Sequence, residues 1–198
     1  MLGNKQKIAI VGAVLLGVIV LLNFGYLWAN IKFVFFKPSA QTQNVAQNPG
    51  AKNKIEPNTL IIDSLGIKAP VIYPDERSEA AFQEALKGGV AHYPETALPG
   101  EKGNCYIFGH SSDYLFSKGD YKNIFAVLPK IEIGAEIVIS GPDGSEFIYT
   151  VTESRRVAAN DLSVLDQQNY QRKLLTLQTS YPLGTALARW VVVAEEKP

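Results

Sequence analysis

Residues 59–198 consist of short apolar segments separated by turn-forming residues, and this pattern constrains the fold most strongly. The segments are rich in β-branched and aromatic side chains, which favour strands. They are residues 60–62, 69–72, 104–109, 135–140, 146–151, 173–179 and 188–194. Short helices are predicted at 78–86 and 121–128, the second ended by Pro129. The pattern predicts a mainly β fold, a closed β-barrel of about seven to eight strands with short helices.

An uncharged apolar stretch, Ile8–Ala29, precedes this part of the chain. As a helix it would be about 33 Å long, which matches a hydrocarbon core of roughly 30 Å. The alternative, a cleavable signal peptide, has an apolar region of only about 7–15 residues. We therefore predict one transmembrane helix as an N-terminal anchor within residues 1–30. Residues 31–58 are rich in Gln, Asn and Pro and predict a flexible linker, which leaves 59–198 as the folded domain.

The composition excludes several classes of function. Lys and Arg number 19 and so do Asp and Glu, so there is no basic surplus to bind nucleic acid. A single cysteine excludes an intrachain disulfide, and with only two histidines a metal site of Cys and His ligands is not expected. We therefore predict chemistry carried by side chains alone, with no metal and no cofactor.

A first candidate for chemistry is the pair Ser180 and Arg189. Ser180 ends a strand, and Arg189 lies on the next one, on the same face as Val191 and Val193 by the two-residue period. A hydroxyl and a guanidinium on neighbouring strands could hold a carbonyl between a nucleophile and a cation. On spacing alone, a solvated hairpin with an ordinary serine and a surface arginine is the more common arrangement.

A second candidate is His110, which follows the apolar strand 104–109. Tyr106 and Phe108 alternate onto its face, and histidine is the usual acid or base near neutral pH. A structural histidine fits the same pattern. Cys105 alternates to the opposite face, roughly 16 Å away along the strand, so we interpret it as a small buried hydrophobe and not as a nucleophile.

Together these segments resemble the sortase family. Thr176-Leu-Gln-Thr-Ser180 resembles the family's Thr-Leu-x-Thr-Cys strand end, with Ser180 in the position of the cysteine. The segment Ser180–Gly184 is similar to its Cys-Thr-Pro-x-Gly loop, and Arg189 lies at the offset of its arginine. Gly109-His110 resembles its Gly-His pair, and residues 92–104 resemble the loop before that strand.

The resemblance implies a sortase β-barrel outside the cytoplasm, held at the cell membrane by a single-pass helix. It implies cleavage of a C-terminal sorting-signal peptide of secreted or surface proteins and transfer to an amine acceptor of the cell envelope or a pilin. His110 would be the proton donor, residue 180 the nucleophile and Arg189 the oxyanion or substrate clamp. Thr179, His92 and Tyr93 are expected to support or contact the substrate.

Ser180 departs from the family pattern. A Cys thiolate forms readily beside positive charge, whereas a serine hydroxyl needs a general base within about 3 Å. Three interpretations follow: a natural serine enzyme, a natural inactive homologue that only binds sorting-signal peptides, or a substrate trap made by Cys-to-Ser substitution.

Overall fold

The computed structural model describes residues 3–22, 31, 55–112, 119–167 and 171–197. Within these residues, eight strands form a closed barrel in the spatial order β1-β2-β3-β4-β7-β8-β6-β5, and β5 pairs with β1 to close it. The strands are β1 Thr59–Ile62, β2 Ile67–Ile72, β3 Val90–His92, β4 Gly103–Phe108, β5 Glu136–Ser140, β6 Glu146–Ala158, β7 Lys173–Tyr181 and β8 Ala188–Glu196. The helices are α1 Asn4–Leu22 and α2 Glu79–Gly88, with short 3-10 helices at Asp63–Leu65, Leu128–Lys130 and Ser163–Leu165. The mainly β closed barrel is confirmed.

Side-chain alternation along the strands separates the barrel core from its outer face. Cys105 and Ile107 on β4, with Leu175 and Leu177 on β7, are fully buried in the main core. Their neighbours in sequence point outward, and Tyr106 and Phe108 belong to a second, smaller cluster. This outer cluster lies where β4, β7 and β8 run side by side, because β4 pairs with β7 in parallel and β7 with β8 antiparallel.

Residues 121–128 do not form the predicted α-helix. Their backbone makes turns with hydrogen bonds between residues three apart, including Ile124 N to Tyr121 O at 3.2 Å. The N–H of Phe125 instead donates to the carbonyl of His110 at 3.0 Å, so it is not available for a bond to Tyr121 four residues back. Pro129, predicted to end the helix, lies inside the 3-10 helix Leu128–Lys130.

Two other elements differ from the predicted ones. Strand β6 continues past Val151 to Ala158, and its second half pairs with β8 after an irregularity between Val151 and Glu153. The predicted helix over 78–86 is present as α2, and the Ser78 side chain accepts from Ala81 N at 3.1 Å. The three-residue strand β3 was not predicted.

Helix α1 covers the first part of the predicted span Ile8–Ala29, whereas residues 23–29 lie outside the described residues. The described residues contain no helix with the length and apolar character needed to cross a bilayer. Residues 32–54 of the predicted linker also lie outside the described residues. At the end of the predicted linker, Asn58 N donates to Gly141 O at 3.2 Å, and Ile55 N donates to Glu146 Oε1 at 3.1 Å. Residues 55–58 are therefore bound to the barrel.

Candidate active site

Strand register brings Ser180 and Arg189 directly opposite each other. They are paired residues in the antiparallel ladder of β7 and β8, so their Cβ atoms lie about 5 Å apart on one face of the sheet. This face points away from the core, since Leu177 and Thr179, which alternate with it, are buried inside. The strand does not end at Ser180 but continues to Tyr181. Ser180 and Arg189 are both half-buried.

His110 reaches the same level through the parallel pairing of β4 with β7. The ladder ends with Phe108 opposite Gln178, and Gly109 N then donates to Gln178 O at 3.1 Å. Thr179 Oγ1, buried inside the barrel, donates to the carbonyl of Gly109 at 2.8 Å. These two bonds hold the chain beside β7 for one more residue, which places the backbone of His110 at the level of Ser180. The backbones of His110, Ser180 and Arg189 thus lie at one level on three neighbouring segments: the end of β4, β7 and β8.

The guanidinium of Arg189 is already engaged by the loop between β7 and β8. Its Nη1 donates to Ala186 O at 3.1 Å and to Ala188 O at 3.0 Å. It also lies close enough to Tyr106 to act on its hydroxyl electrostatically. Burial raises the pKa of Tyr106 above its ordinary value, and the positive charge of Arg189 opposes that rise. Arg189 therefore bonds to the loop and acts electrostatically on Tyr106 of β4.

The surface beside these residues is mainly aromatic and aliphatic. Tyr106 and Val191 are buried beneath it, at 2% and 0% exposure, Phe108 is half-buried beside them, and Tyr93 packs edge-on against Tyr106 at 6.0 Å between ring centroids. Its polar member Gln178 accepts a hydrogen bond at Oε1 from the Tyr106 hydroxyl, at 2.5 Å. We call this surface, with Ser180 and Arg189, the outer-face site; the backbone of His110 lies at its edge. Gln178 was missed by the sequence analysis, although the two-residue period puts it on the face of Ser180.

An open pocket of about 420 Å³ borders Ser180 on the side of the barrel mouth. Its walls come from the turns after β4 and from the loop that follows β7. It is lined by Ser111, Phe125, Ala126, Pro129, Lys130, Thr179, Ser180, Tyr181, Pro182 and Leu183. We call it the mouth pocket. Ser180 thus faces two regions, the outer-face site and the mouth pocket.

Comparison with known proteins identifies the family. The family model described as a sortase domain matches residues 60–197. This chain belongs to the sortase family. It is 25% identical to sortase D of Bacillus subtilis (strain 168) over 167 residues, which cover 79% of this chain and 75% of the relative. The barrel is similar to that of a Clostridium perfringens sortase D5 transpeptidase, with 25% identity, a TM-score of 0.58 and coverage of 71% and 78%.

Other solved sortases share the fold at lower identity. Sortase C1 from Streptococcus suis has a TM-score of 0.60 at 20% identity, over 73% of this chain and 74% of that one. Sortases are transpeptidases of cell-surface proteins and act on sorting signals and on amine acceptors such as pilins. They are membrane-associated enzymes of the cell envelope with an extracytoplasmic domain.

The two histidines of this sortase have different surroundings. His92 is 4% exposed, and its ring lies against Tyr73 with centroids 5.0 Å apart. Its Nε2 is within hydrogen-bond distance of Ala97 O, at 3.0 Å, and of Thr96 Oγ1, at 3.1 Å. Burial lowers the pKa of His92, and the bond to Ala97 opposes this shift. His92 therefore orders the loop after β3, while its neighbour Tyr93 lies in the outer-face site.

Cys105 lies inside the sortase barrel. It is fully buried, and the loss of solvation raises the pKa of its thiol. A buried thiol of raised pKa is a poor nucleophile because little of it ionises near neutral pH. Cys105 belongs to the main core cluster with Ile107 and Leu175.

Proposed function

We propose that this sortase binds a C-terminal sorting-signal peptide over the outer-face site and transfers its acyl group to an amine through residue 180. The observation that carries the proposal is the direct pairing of Ser180 with Arg189 across β7 and β8. A peptide carbonyl above Ser180 would have a fixed positive charge on the adjacent strand. Because Arg keeps its charge at any working pH, it suits the negative charge that develops on such a carbonyl.

The reaction would proceed in two steps. The Ser180 hydroxyl attacks the scissile carbonyl, a C–O bond forms, and the C–N bond of the peptide breaks. His110 accepts the hydroxyl proton and passes it to the departing amine. The acceptor amine then attacks the ester carbonyl: a C–N bond forms, the C–O bond to Ser180 breaks, and His110 passes the proton of the amine back to the Ser180 oxygen. Arg189 would exchange its bonds to Ala186 and Ala188 for the oxyanion, and the mouth pocket offers room for the leaving and entering amines.

We also propose that the apolar stretch Ile8–Ala29 anchors the barrel to the cell membrane, with the barrel on the extracytoplasmic side. The support is its uncharged composition and length together with the cell-envelope location of the family. The acceptor would then be an amine of the cell envelope or of a pilin.

Ser180 itself favours a second candidate function, which is binding without turnover. A serine hydroxyl stays protonated near neutral pH and reacts only with a well-placed base. In this second function, the chain would bind sorting signals without cleaving them. Both candidates use the same surface and differ only in whether a covalent bond forms at residue 180.

The deciding experiment compares the native chain with Ser180→Cys on a library of sorting-signal peptides, with and without an added amine. Intact-mass spectrometry detects an acyl adduct, and chromatography detects cleavage. Ser145→Cys is the control, since it adds a thiol at an exposed turn remote from Ser180 in the barrel. An adduct on native Ser180 establishes the enzyme. Peptide binding with an adduct only in Ser180→Cys establishes the binding protein.

Absence of both binding and cleavage in the folded native chain and in folded Ser180→Cys would refute the proposal. Thiol labelling checks the site at the same time. A thiol at residue 180 should react with a maleimide because that position is half-buried beside an open pocket. Cys105 should remain unlabelled until the protein unfolds, because it is fully buried.

A further inference from the structure

The mouth pocket combines apolar walls with a charged group. Phe125 and Pro182 supply apolar surface, and Lys130 is the one charged residue among the described residues that line the pocket. Ser180 borders the same pocket. A sphere of the same volume, about 420 Å³, would be about 9 Å across. One short molecule could therefore contact both Lys130 and the reacting residue.

The backbone that carries Lys130 is fixed beside the end of β4. Lys130 ends the 3-10 helix Leu128–Lys130, and Leu128 is fully buried in the main core. Phe125, which is also fully buried, donates its N–H to the carbonyl of His110 at 3.0 Å. The position of Lys130 at the pocket is thus set by the core and by the segment that follows β4.

The ammonium group of Lys130 is partly desolvated. Lys130 is half-buried, and the loss of solvation lowers its pKa. Such a charge gains more from a nearby opposite charge than a fully hydrated one, because less water competes for it. An anionic group on a ligand in the mouth pocket would favour the charged form of Lys130. The pocket is therefore better suited to a ligand with a negative charge than to a neutral one.

The chemistry of an acceptor amine indicates where that negative charge would be useful. An amine attacks a carbonyl only in its neutral form, and a carboxylate on the same molecule favours the unreactive ammonium form. Pairing the carboxylate with Lys130 would offset this effect on the amine. An extended segment of two residues is about 6.6 Å long, which is within the span of the pocket.

We propose that the mouth pocket is the acceptor subsite and that Lys130 selects an amine with a carboxylate about two residues away. This inference rests on the proposed function, because it takes residue 180 as the carrier of the acyl group. In the transfer, the amine nitrogen bonds to the acyl carbon, and the bond from that carbon to the oxygen of residue 180 breaks. The proton that the amine loses returns to that oxygen through His110. Lys130 binds the carboxylate of the acceptor and is a specificity-determining residue.

The test compares glycylglycine with glycylglycinamide, which present the same amine with and without a carboxylate. Acyl transfer to each is measured by chromatography in the native chain or, if only that variant is acylated, in Ser180→Cys. The readout is the ratio of the two transfer rates at one pH, since the different basicity of the two amines then affects every variant equally. In Lys130→Gln the preference for glycylglycine should fall about fivefold, which corresponds to about 1 kcal/mol for a partly exposed ion pair. Lys130→Arg keeps the charge and should keep most of the preference.

Lys173→Gln is the matched control, because it removes the same charge at the other end of β7. Lys173 lies about 23 Å from Ser180 along the strand, and it pairs with Glu196 at 2.9 Å. The ratio in this control should equal that of the parent. An unchanged ratio in Lys130→Gln would overturn the inference, and so would an equal fall in Lys173→Gln or in Lys130→Arg. If neither the native chain nor Ser180→Cys forms an acyl adduct, the proposed acyl transfer itself fails, whereas the other outcomes leave it intact.

Discussion

Replacing Thr179 with valine would remove a side-chain hydrogen bond that holds Gly109 against β7. Thr179 Oγ1 donates to Gly109 O at 2.8 Å, and Thr179 is 2% exposed. Valine has nearly the same shape, so no cavity forms. A hydrogen bond contributes about 1 kcal/mol, and a buried carbonyl left without this donor adds about 1–2 kcal/mol more. We therefore expect the free energy of unfolding to fall by about 2 kcal/mol.

Urea unfolding followed by tryptophan fluorescence and circular dichroism measures this loss. For a domain of this size, the urea dependence is roughly 2 kcal/mol per molar, so the midpoint should fall by about 1 M. Thr152→Val is the control, because Thr152 Oγ1 donates to Val193 O at 3.2 Å from an exposed position. The free energy of unfolding of this control should change by less than about 0.5 kcal/mol. Equal midpoints for the two variants would refute the argument that the buried Thr179 hydrogen bond contributes more to the free energy of unfolding than the exposed Thr152 bond.

Two further variants test buried positions. Burial lowers the pKa of folded His92, so below about pH 6.5 the unfolded chain binds an extra proton and stability should fall by up to about 1.4 kcal/mol per pH unit. His92→Gln should flatten this slope between pH 7.5 and 5.5, and an identical slope in urea midpoints would contradict the assignment. In Gly89→Ala, the new Cβ would lie 2.1 Å from the carbonyl oxygen of Pro70, so thermal unfolding should show a loss of about 3 kcal/mol. Gly88→Ala meets only Ile72, at 3.6 Å, and should be neutral or slightly stabilising; equal losses would exclude the steric cause.

Local sequence patterns predicted which side chains of β4 share the outer face of the sheet. The alternation that puts Tyr106 and Phe108 opposite Cys105 and Ile107 is confirmed by their separation into two clusters. The burial of Cys105 likewise agrees with its interpretation as a small hydrophobe. Gln178 was not predicted, although the same two-residue period places it on the strand face of Ser180. His92 was predicted as a structural or substrate-contact residue, and its ring lies within hydrogen-bond distance of Ala97 and Thr96 in the loop after β3. The substrate roles of Thr179 and Tyr93 stay predictions.

Features that depend on contacts between distant residues could not be predicted from local sequence patterns. The second half of β6 is a strand because it pairs with β8 around the barrel, even though Arg155 and Arg156 give it little apolar character. Residues 121–128 form turns because Phe125 bonds to the backbone of His110 instead of to its own segment. Such bonds join residues that are distant in sequence, and no local propensity encodes them.

The sequence by itself determined the class of fold, the order of the strands along the chain and the residue types available for chemistry, because side-chain alternation and turn formation are local properties. The tertiary structure decided the register: Ser180 stands opposite Arg189, and His110 follows β4 to the same level along β7. Register depends on which strands pair across the barrel and on how their inner faces pack. For that reason the pairing of Ser180 with Arg189, and the level that the chain reaches at His110, are properties of the folded barrel.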